Sequence, residues 1–95
     1  MAHKLEIVRD DEEDQFVALM DGTPIGEIMY MPRKGYLDIY HTGVAEEFEG
    51  MGLASVMAHA TLDFIRESGL KIWVRCPYLS RYIEKHPEYK DLIYE

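Results

Sequence analysis

The feature that most constrains the fold is a glycine-containing segment that joins a strand pattern to an amphipathic helix pattern. Residues 49–54 read EGMGLA. Glycines at positions 50 and 52 lack the Cβ atoms that would keep a ligand from the backbone, and the first turn of the next helix has free N–H groups. The segment therefore predicts an anion-binding turn, and the anion expected there is the phosphate of a nucleotide-bearing cofactor.

Four short runs of strand character precede this turn. The predicted strands cover four segments, residues 5–9, 16–20, 25–31 and 36–42. The connections are an acidic turn at 10–14, a turn at 21–24 and a break at 32–35 that contains Pro32 and Gly35. In the fourth run, Leu37 and Ile39 alternate with Asp38 and Tyr40. Short turns of this kind predict an antiparallel meander.

A helix, a strand and a second helix are predicted after the turn. The first helix has one apolar face, formed by Leu53, Val56, Met57, Ala60, Phe64 and Ile65, and Gly69 ends it. Alternation over residues 70–76 predicts a fifth strand beside the meander, reached by a helical crossover. Pro77 opens a helix over residues 78–85, and Pro87 begins a last turn. The predicted order is β-β-β-β-α-β-α.

Length and composition indicate one small globular domain over residues 1–95. Hydrophobic residues make up 47% and charged residues 29%, as in ordinary soluble proteins. The sequence contains no run of about 18 apolar residues typical of a membrane span. Its first residues lack the apolar region of a secretory signal, so we expect a cytoplasmic protein. A single cysteine excludes an internal disulfide.

The net charge of −8 limits the partners that the chain can bind. Nucleic acids and anionic membranes are polyanions and would be repelled, whereas a cationic substrate would be attracted. Six acidic residues lie within the first fourteen positions: Glu6, Asp10, Asp11, Glu12, Glu13 and Asp14. They produce a local negative field, although a solvated acidic turn between two strands explains them as well.

Several motifs in order resemble the GCN5-related N-acetyltransferases. The pyrophosphate loop of that family follows the pattern Gln/Arg-x-x-Gly-x-Gly/Ala, and Gly52, Leu53 and Ala54 match its last three places, while Glu49 stands where Gln or Arg is usual. A compact subgroup is similar in further segments, which here are residues 41–44 (HTGV), 63–65 (DFI), 76–78 (CPY) and 83–87 (IEKHP). The resemblance extends from about residue 36 to 93.

The resemblance implies an α+β acetyltransferase core and acetyl-CoA as its cofactor. The pyrophosphate is expected at the backbone N–H groups of the loop, and the pantetheine arm at an exposed edge of the fourth strand. The loop positions are Glu49, Gly50, Met51, Gly52, Leu53 and Ala54, and the strand-edge positions are Thr42, Gly43, Val44 and Ala45. Arg81 and Lys85 are candidates for the remaining phosphate. Whether Glu49 faces the phosphates stays open. A glycine at position 43 is explained by a β-bulge or by a ligand that lies close to the backbone, and equally by the end of the strand.

Three residues are candidates for the chemistry. Cys76 lies at the end of the fifth strand, next to the thioester in this family, and a helix N-terminus favours the reactive thiolate form. It is a candidate nucleophile or neighbour of the thioester, or else a buried packing residue. His41 is a candidate base for direct attack by an amine, or a structural histidine; its parity with Leu37 and Ile39 predicts that it faces inward. Tyr78 is a candidate acid for the leaving thiolate, or it packs.

Larger members of the family carry a pair of helices between the first two strands, and this chain has no room for them. Their absence predicts an open acceptor site, or one that a protein partner completes. The leading function is acetyl-CoA-dependent transfer to an amine, cationic in view of the acidic surface. The alternatives are a CoA or acyl-CoA binding module without turnover, and an interaction domain without cofactor. The histidines at 3, 59 and 86 show no metal-ligand spacing, so no metal is expected.

Overall fold

The computed structural model of the protein describes residues 4–95. Within this range the chain forms a five-stranded sheet, two α-helices and two short 3₁₀ helices. The strands are β1 (Leu5–Asp10), β2 (Gln15–Met20), β3 (Thr23–Arg33), β4 (Tyr36–Val44) and β5 (Ile72–Val74). The α-helices are α1 (Leu53–Glu67) and α2 (Pro77–Lys85), and the 3₁₀ helices are Glu46–Phe48 and Pro87–Leu92.

The strands lie in the sheet in their order along the chain. Neighbours from β1 to β4 are antiparallel, and β5 runs parallel to β4 with Leu37 beside Ile72 and Ile39 beside Val74. The crossover through α1 makes this parallel pairing possible, because parallel strands need a long connection. The predicted α+β meander with a fifth strand after a helix is confirmed, and β1 and β2 are joined by a tight turn without helices.

The strands β3 and β5 differ most in length from the prediction, each by four residues. β3 runs on to Arg33 and was expected to end before Pro32. Pro32 pairs with Leu37 of β4, whose N–H points away from β3 and donates to the Lys71 carbonyl. Pro32 and Leu37 are therefore a pair without a hydrogen bond between them. The N–H that proline lacks is not needed for the pairing of β3 with β4. β5 has three residues instead of seven, because the chain turns away from β4 towards α2 after Val74.

A β-bulge in β4 reverses the direction of the side chains beyond it. Met29 of β3 pairs with His41, but the next residue, Tyr30, pairs with Ile39, so Tyr40 is the extra residue. A one-residue insertion moves every later side chain to the other face of a strand. The prediction that His41 shares the inward face of Leu37 and Ile39 is therefore wrong.

Both α-helices and the second 3₁₀ helix cover one face of the sheet. The strands contribute Phe16, Ile28, Tyr30 and Ile39 to this core, all of them buried. The buried face of α1 consists of Met57, Ala58, Thr61, Leu62 and Ile65. Val56, which was expected in the apolar face, points to solvent. Val56 is exposed because the buried face of α1 is rotated by about one residue from the face that the apolar residues predicted.

The second face of the sheet carries no helix among residues 4–95, and we name it the open face. Cross-strand pairing places the following side chains there: Glu6, Val8, Val17, Leu19, Glu27, Met29, Met31, Asp38, His41 and Trp73. Asp38 was predicted to alternate outward, yet it is buried on this face, because the Arg75 Nε donates to its carboxylate over 2.8 Å.

Candidate functional site

The predicted phosphate turn lies between the first 3₁₀ helix and α1. Gly52 is the N-cap of α1 and makes no side-chain capping hydrogen bond. The N–H groups in the first turn of α1 therefore receive no hydrogen bond acceptor from the side chain of the N-cap residue. A cavity of about 270 Å³ opens in front of them, lined by Val44, Phe48, Glu49, Gly50, Gly52, Leu53 and Ala54. The turn thus combines backbone donors with space for a ligand.

The backbone conformation of the turn requires glycine at both positions, in addition to the space that a missing Cβ leaves for a ligand. Gly50 has a φ of +78° and Gly52 a φ of +74°, a region that L-residues with a Cβ rarely adopt. A Cβ placed on either residue would meet no atom within 4 Å. The sequence predicted the space above the backbone; the left-handed conformation is a second reason for glycine that the pattern did not show.

The rim of this cavity is acidic. Glu46 and Glu47 lie in the first 3₁₀ helix, and Glu49 has an extended backbone and donates its N–H to the Glu46 carbonyl over 3.2 Å. All three side chains are exposed. Solvent screens exposed carboxylates, which weakens their effect on the backbone N–H groups of the turn.

Next to this turn, β4 and β5 separate, and within residues 4–95 no strand pairs with the edge of β4 that faces the gap. The last pair in their register is Ile39 with Val74, and the Arg75 N–H donates to the Ile39 carbonyl over 2.8 Å. Beyond this point β4 continues to Val44 with β3 on one side only. The predicted edge at Thr42, Gly43 and Val44 therefore lies in the gap between the two strands. Ala45 follows β4, and its N–H donates to the Ile25 carbonyl over 2.8 Å.

Cys76 lies at the end of this gap, where it is only 4% exposed. Its Sγ is 3.2 Å from the Thr42 Oγ1, to which the thiol donates. Cys76 is also the N-cap residue of α2, which begins at Pro77. The contact joins the diverging ends of β4 and β5 on the helix-covered side of the sheet.

His41 lies on the open face, on the other side of the sheet from Cys76 and Thr42. Its Nε2 is 3.4 Å from the Glu27 Oε2, and both side chains are partly exposed. Gly43 lies directly beneath this pair: a Cβ there would overlap the Glu27 carboxylate and would come within 2.8 Å of the His41 Nε2. The pair and the glycine form one unit, which accounts for Gly43 without a ligand.

A basic groove runs between α1 and α2. It has a volume of about 370 Å³ and is lined by Ser55, Tyr78, Arg81, Tyr82, Lys85 and His86. The rings of Tyr82 and His86 stack at 4.2 Å, and burial raises the pKa of the Tyr82 hydroxyl. The predicted phosphate ligands Arg81 and Lys85 thus face the same space. Tyr78 lies in this groove as well, and its predicted role as an acid stays a prediction.

A hydrogen-bonded group holds the end of the chain against α1. The Tyr89 hydroxyl lies 2.8 Å from both the Asp63 Oδ1 and the His59 Nδ1. Burial and the bond to Asp63 raise the pKa of Tyr89 well above its usual value. Among residues 4–95, no group of three or more histidine, cysteine, aspartate or glutamate side chains has the geometry of a metal site. The histidine at position 3 lies outside the described residues.

A family model for the GCN5-related N-acetyl-transferases matches residues 15–92. The chain belongs to this family. Protein NATD1 of Gallus gallus is 28% identical over 85 residues, which make up 87% of this chain and 77% of that protein. NATD1 of Danio rerio is 28% identical over 95 residues, covering 95% of this chain and 86% of its own.

The solution structure of a GCN5-like protein from Staphylococcus aureus shares the fold. It superposes with a TM-score of 0.65 at 30% identity and covers 95% of this chain and 88% of the other. No helix in residues 4–95 is long and apolar enough to span a bilayer.

Two features of the site were not predicted from the sequence. Glu27 became a neighbour of His41 only through the pairing of β3 with β4; a single acidic residue within an apolar strand was the one available signal. Ser55, Tyr82 and His86 complete the basic groove. Their positions depend on how α2 packs on α1, which residue spacing along one helix does not specify.

Proposed function

We propose that the protein is an acetyl-CoA-dependent N-acetyltransferase that acts on an amine. The observation that carries the proposal is the free edge of β4, which leads from Cys76 at one end to the glycine turn at the other. Bound acetyl-CoA would supply a thioester whose acyl group passes to the amine, with the CoA thiol as leaving group.

The residues of the chain fit this ligand in three places. The backbone N–H groups of Gly50 to Ala54 would hold the pyrophosphate, since they lie at a helix N-terminus that faces an open cavity. The edge at residues 42–44 would pair with the amides of the pantetheine arm, whereas the backbone N–H of Ala45 already donates to Ile25. Arg81 and Lys85 would hold the remaining phosphate in the basic groove.

The proposed chemistry divides between the two faces of the sheet. An acceptor amine is mostly protonated at neutral pH and must lose a proton before its nitrogen attacks the thioester carbon. His41 accepts this proton, and the Glu27 carboxylate at 3.4 Å stabilises the charge that the ring gains. Tyr78 is proposed as the donor of a proton to the departing thiolate.

Cys76 gives two routes for the acyl group. In direct transfer the thiol borders the acyl group and only shapes the site. In the covalent route its sulfur attacks the thioester carbon, the CoA thiol leaves, and the amine then takes the acyl group from Cys76. The hydrogen bond to Thr42 holds the sulfur at the gap in either case.

Release of CoA thiol, measured with acetyl-CoA and a panel of amines, tests the proposal. Amine-dependent release with acetylated product supports it, whereas acetyl-CoA binding without release supports a CoA or acyl-CoA binding module. In Cys76→Ser, near-normal transfer supports the direct route. An acetyl group found by mass spectrometry on Cys76 of the wild type, with transfer lost in the variant, supports the covalent one.

A further inference from the structure

Two arginines share one carboxylate on the open face. The Arg75 Nε donates to the Asp38 Oδ1 over 2.8 Å, and the Arg33 Nη2 lies 3.8 Å from the Asp38 Oδ2. The side chain of Asp38 is only 9% exposed, whereas those of Arg75 and Arg33 are 53% and 49% exposed. One buried negative charge therefore faces two positive charges at the surface, and one positive charge is left over.

The buried carboxylate fixes the position of the Arg75 guanidinium and occupies only part of it. Arginine has five N–H donors, and the bond to Asp38 uses the one on Nε. The guanidinium carbon also lies 6.0 Å from the centre of the Tyr40 ring, which is exposed at the β-bulge. A guanidinium held in this way can bind a second carboxylate through two parallel hydrogen bonds from its terminal nitrogens.

Arg75 also borders the gap between β4 and β5. It directly precedes Cys76, and its backbone N–H donates to the Ile39 carbonyl at the last link between the two strands. The two side chains leave the backbone on opposite sides of the sheet, since Arg75 contacts Asp38 on the open face and Cys76 contacts Thr42 on the covered side. Consecutive Cα atoms are ~3.8 Å apart, so the guanidinium is on the order of 10 Å from the sulfur.

The β-bulge at Tyr40 brings the candidate base to the same face as the arginines. His41 and Asp38 pair with β3 positions that are two residues apart, which is roughly 7 Å along the sheet. The Glu27 carboxylate lies 3.4 Å from the His41 ring. A ligand on this face would therefore meet a carboxylate and an imidazole at one end and the excess positive charge of the Arg75 group at the other.

The acidic residues that suggested a cationic acceptor lie away from the gap. Residues 10–14 are all acidic and form the turn between β1 and β2, and β1 is at the opposite edge of the sheet from β5. Glu6 of β1 has Lys4 beside it, with 3.9 Å between the ammonium nitrogen and the carboxylate. The charge next to the gap thus differs from the net charge of the chain.

We infer that Arg75 and Arg33 bind a carboxylate of the acetyl acceptor, which is a small molecule with an amine and a carboxylate only a few bonds apart. Its ammonium group would lose a proton to His41, the nitrogen would attack the thioester carbon, and the CoA thiolate would leave. A second ammonium group on the acceptor would be repelled by the arginines, and one excess positive charge matches a carboxylate better than a phosphate dianion. The inference rests on the proposed function for the transfer, although not for the binding of the carboxylate.

Three amines with the same carbon chain test the binding of the carboxylate. They are γ-aminobutyrate, n-butylamine and putrescine, which carry a carboxylate, a methyl group and a second ammonium group at the far end. Each is titrated without acetyl-CoA while the Nε–H NMR signal of Arg75 is followed; Arg75→Lys, which lacks this signal, assigns it. We expect a saturable shift with γ-aminobutyrate and none with the other two amines.

Two matched double variants test the same site during acetyl transfer. Arg75→Gln with Asp38→Asn removes the guanidinium without leaving a buried charge, and Arg66→Gln with Asp91→Asn makes the same change at an ion pair of α1. With acetyl-CoA, the wild type should have a kcat/KM about 10-fold higher for γ-aminobutyrate than for n-butylamine, because hydrogen bonds between charged groups hold the acceptor. The first double variant should lose this preference through a higher KM, and the second should keep it.

A milder variant tests the site without breaking the bond between Arg75 and Asp38. Arg33→Gln removes only the more distant charge, so we expect the preference for γ-aminobutyrate to fall about 2-fold to 3-fold. Circular dichroism confirms that each variant is folded. If the first double variant does not fold, Arg33→Gln and the titrations of the wild type still decide the question.

Four results would overturn the inference. These are no shift of the Arg75 signal with γ-aminobutyrate, an equal shift with n-butylamine, a kcat/KM of the wild type that is as high for n-butylamine or putrescine, and an equal preference in the two double variants. The proposed function fails in a different way. If no amine is acetylated and γ-aminobutyrate still shifts the Arg75 signal, the transfer is contradicted and the carboxylate site stands.

Discussion

The two faces of the sheet differ in what covers them and in the chemistry they carry. One face is closed by α1, α2 and the second 3₁₀ helix and buries the core, with Cys76 and Thr42 at its edge. The other has apolar side chains in solvent and carries His41 and Glu27. Neighbouring residues of one strand thus lie in different surroundings, a buried core on one face and solvent on the other, where the proposed function places the base.

The largest expected effect is the difference in stability between the faces. Ile28 and Met31 belong to the same strand, yet Ile28 is buried under the helices and Met31 is exposed on the open face. Ile28→Ala should lower the free energy of unfolding by about 2–5 kcal/mol through lost burial and a cavity. Met31→Ala should change it by less than about 0.5 kcal/mol. Denaturant unfolding measures both, and equal losses would show that the open face is part of the core.

The glycine turn gives the second effect. Gly52→Ala and Gly69→Ala place a Cβ at nearly the same positive φ, at opposite ends of α1, with no atom within 4 Å. Each should cost roughly 1–2 kcal/mol of stability through backbone strain. Gly52→Ala should also weaken acetyl-CoA binding at least about 10-fold, because the new Cβ blocks close approach to the backbone. Calorimetric titration should find unchanged binding in Gly69→Ala; equal affinities in both variants would contradict the assigned role of the turn.

The unit of Glu27, His41 and Gly43 sharpens the comparison on the open face. Gly43→Ala carries no positive-φ strain, so its effect comes from the overlap of the new Cβ with the Glu27 carboxylate. We expect kcat to fall about 10-fold with little change in stability, since the partly exposed Glu27 can swing aside and leave His41. The kcat of the double variant Gly43→Ala, Glu27→Ala should be no lower than the kcat of Glu27→Ala alone. Additive losses would mean that the two residues act independently.

The smallest expected effect concerns the covered face at alkaline pH. The pKa of Tyr89 is raised in the folded chain, so folding favours its protonated form. The contribution of Tyr89 to the free energy of unfolding is fully present below the ordinary tyrosine pKa of about 10. It is lost as the pH rises from there through the raised pKa of the folded protein. Tyr89→Phe should be less stable than the wild type near neutral pH and should lose less stability above pH ~10. Unfolding curves at several alkaline pH values measure this, and parallel curves for both proteins would contradict it.

The sequence predicted the elements well where local patterns determine them. The glycine turn, the order of strands and helices and the start of α2 at Pro77 were all expected, because turn residues and periodicity act over a few neighbours. Residue alternation cannot reveal a bulge, so the face of His41 was predicted wrongly. The partnership of Glu27 with His41 depends on the β3 and β4 register, and the exposure of Val56 depends on how α1 lies on the sheet.

Backbone amide NMR with added CoA tests the central claim most directly, that the cofactor binds along the β4 edge and the glycine turn and not on the open face. The account predicts large shifts at residues 42–45 and 50–54, along the β4 edge and the glycine turn, and none at Val8 or Val17 on the open face. Shifts confined to the open face, or no shifts at saturating CoA, would contradict it.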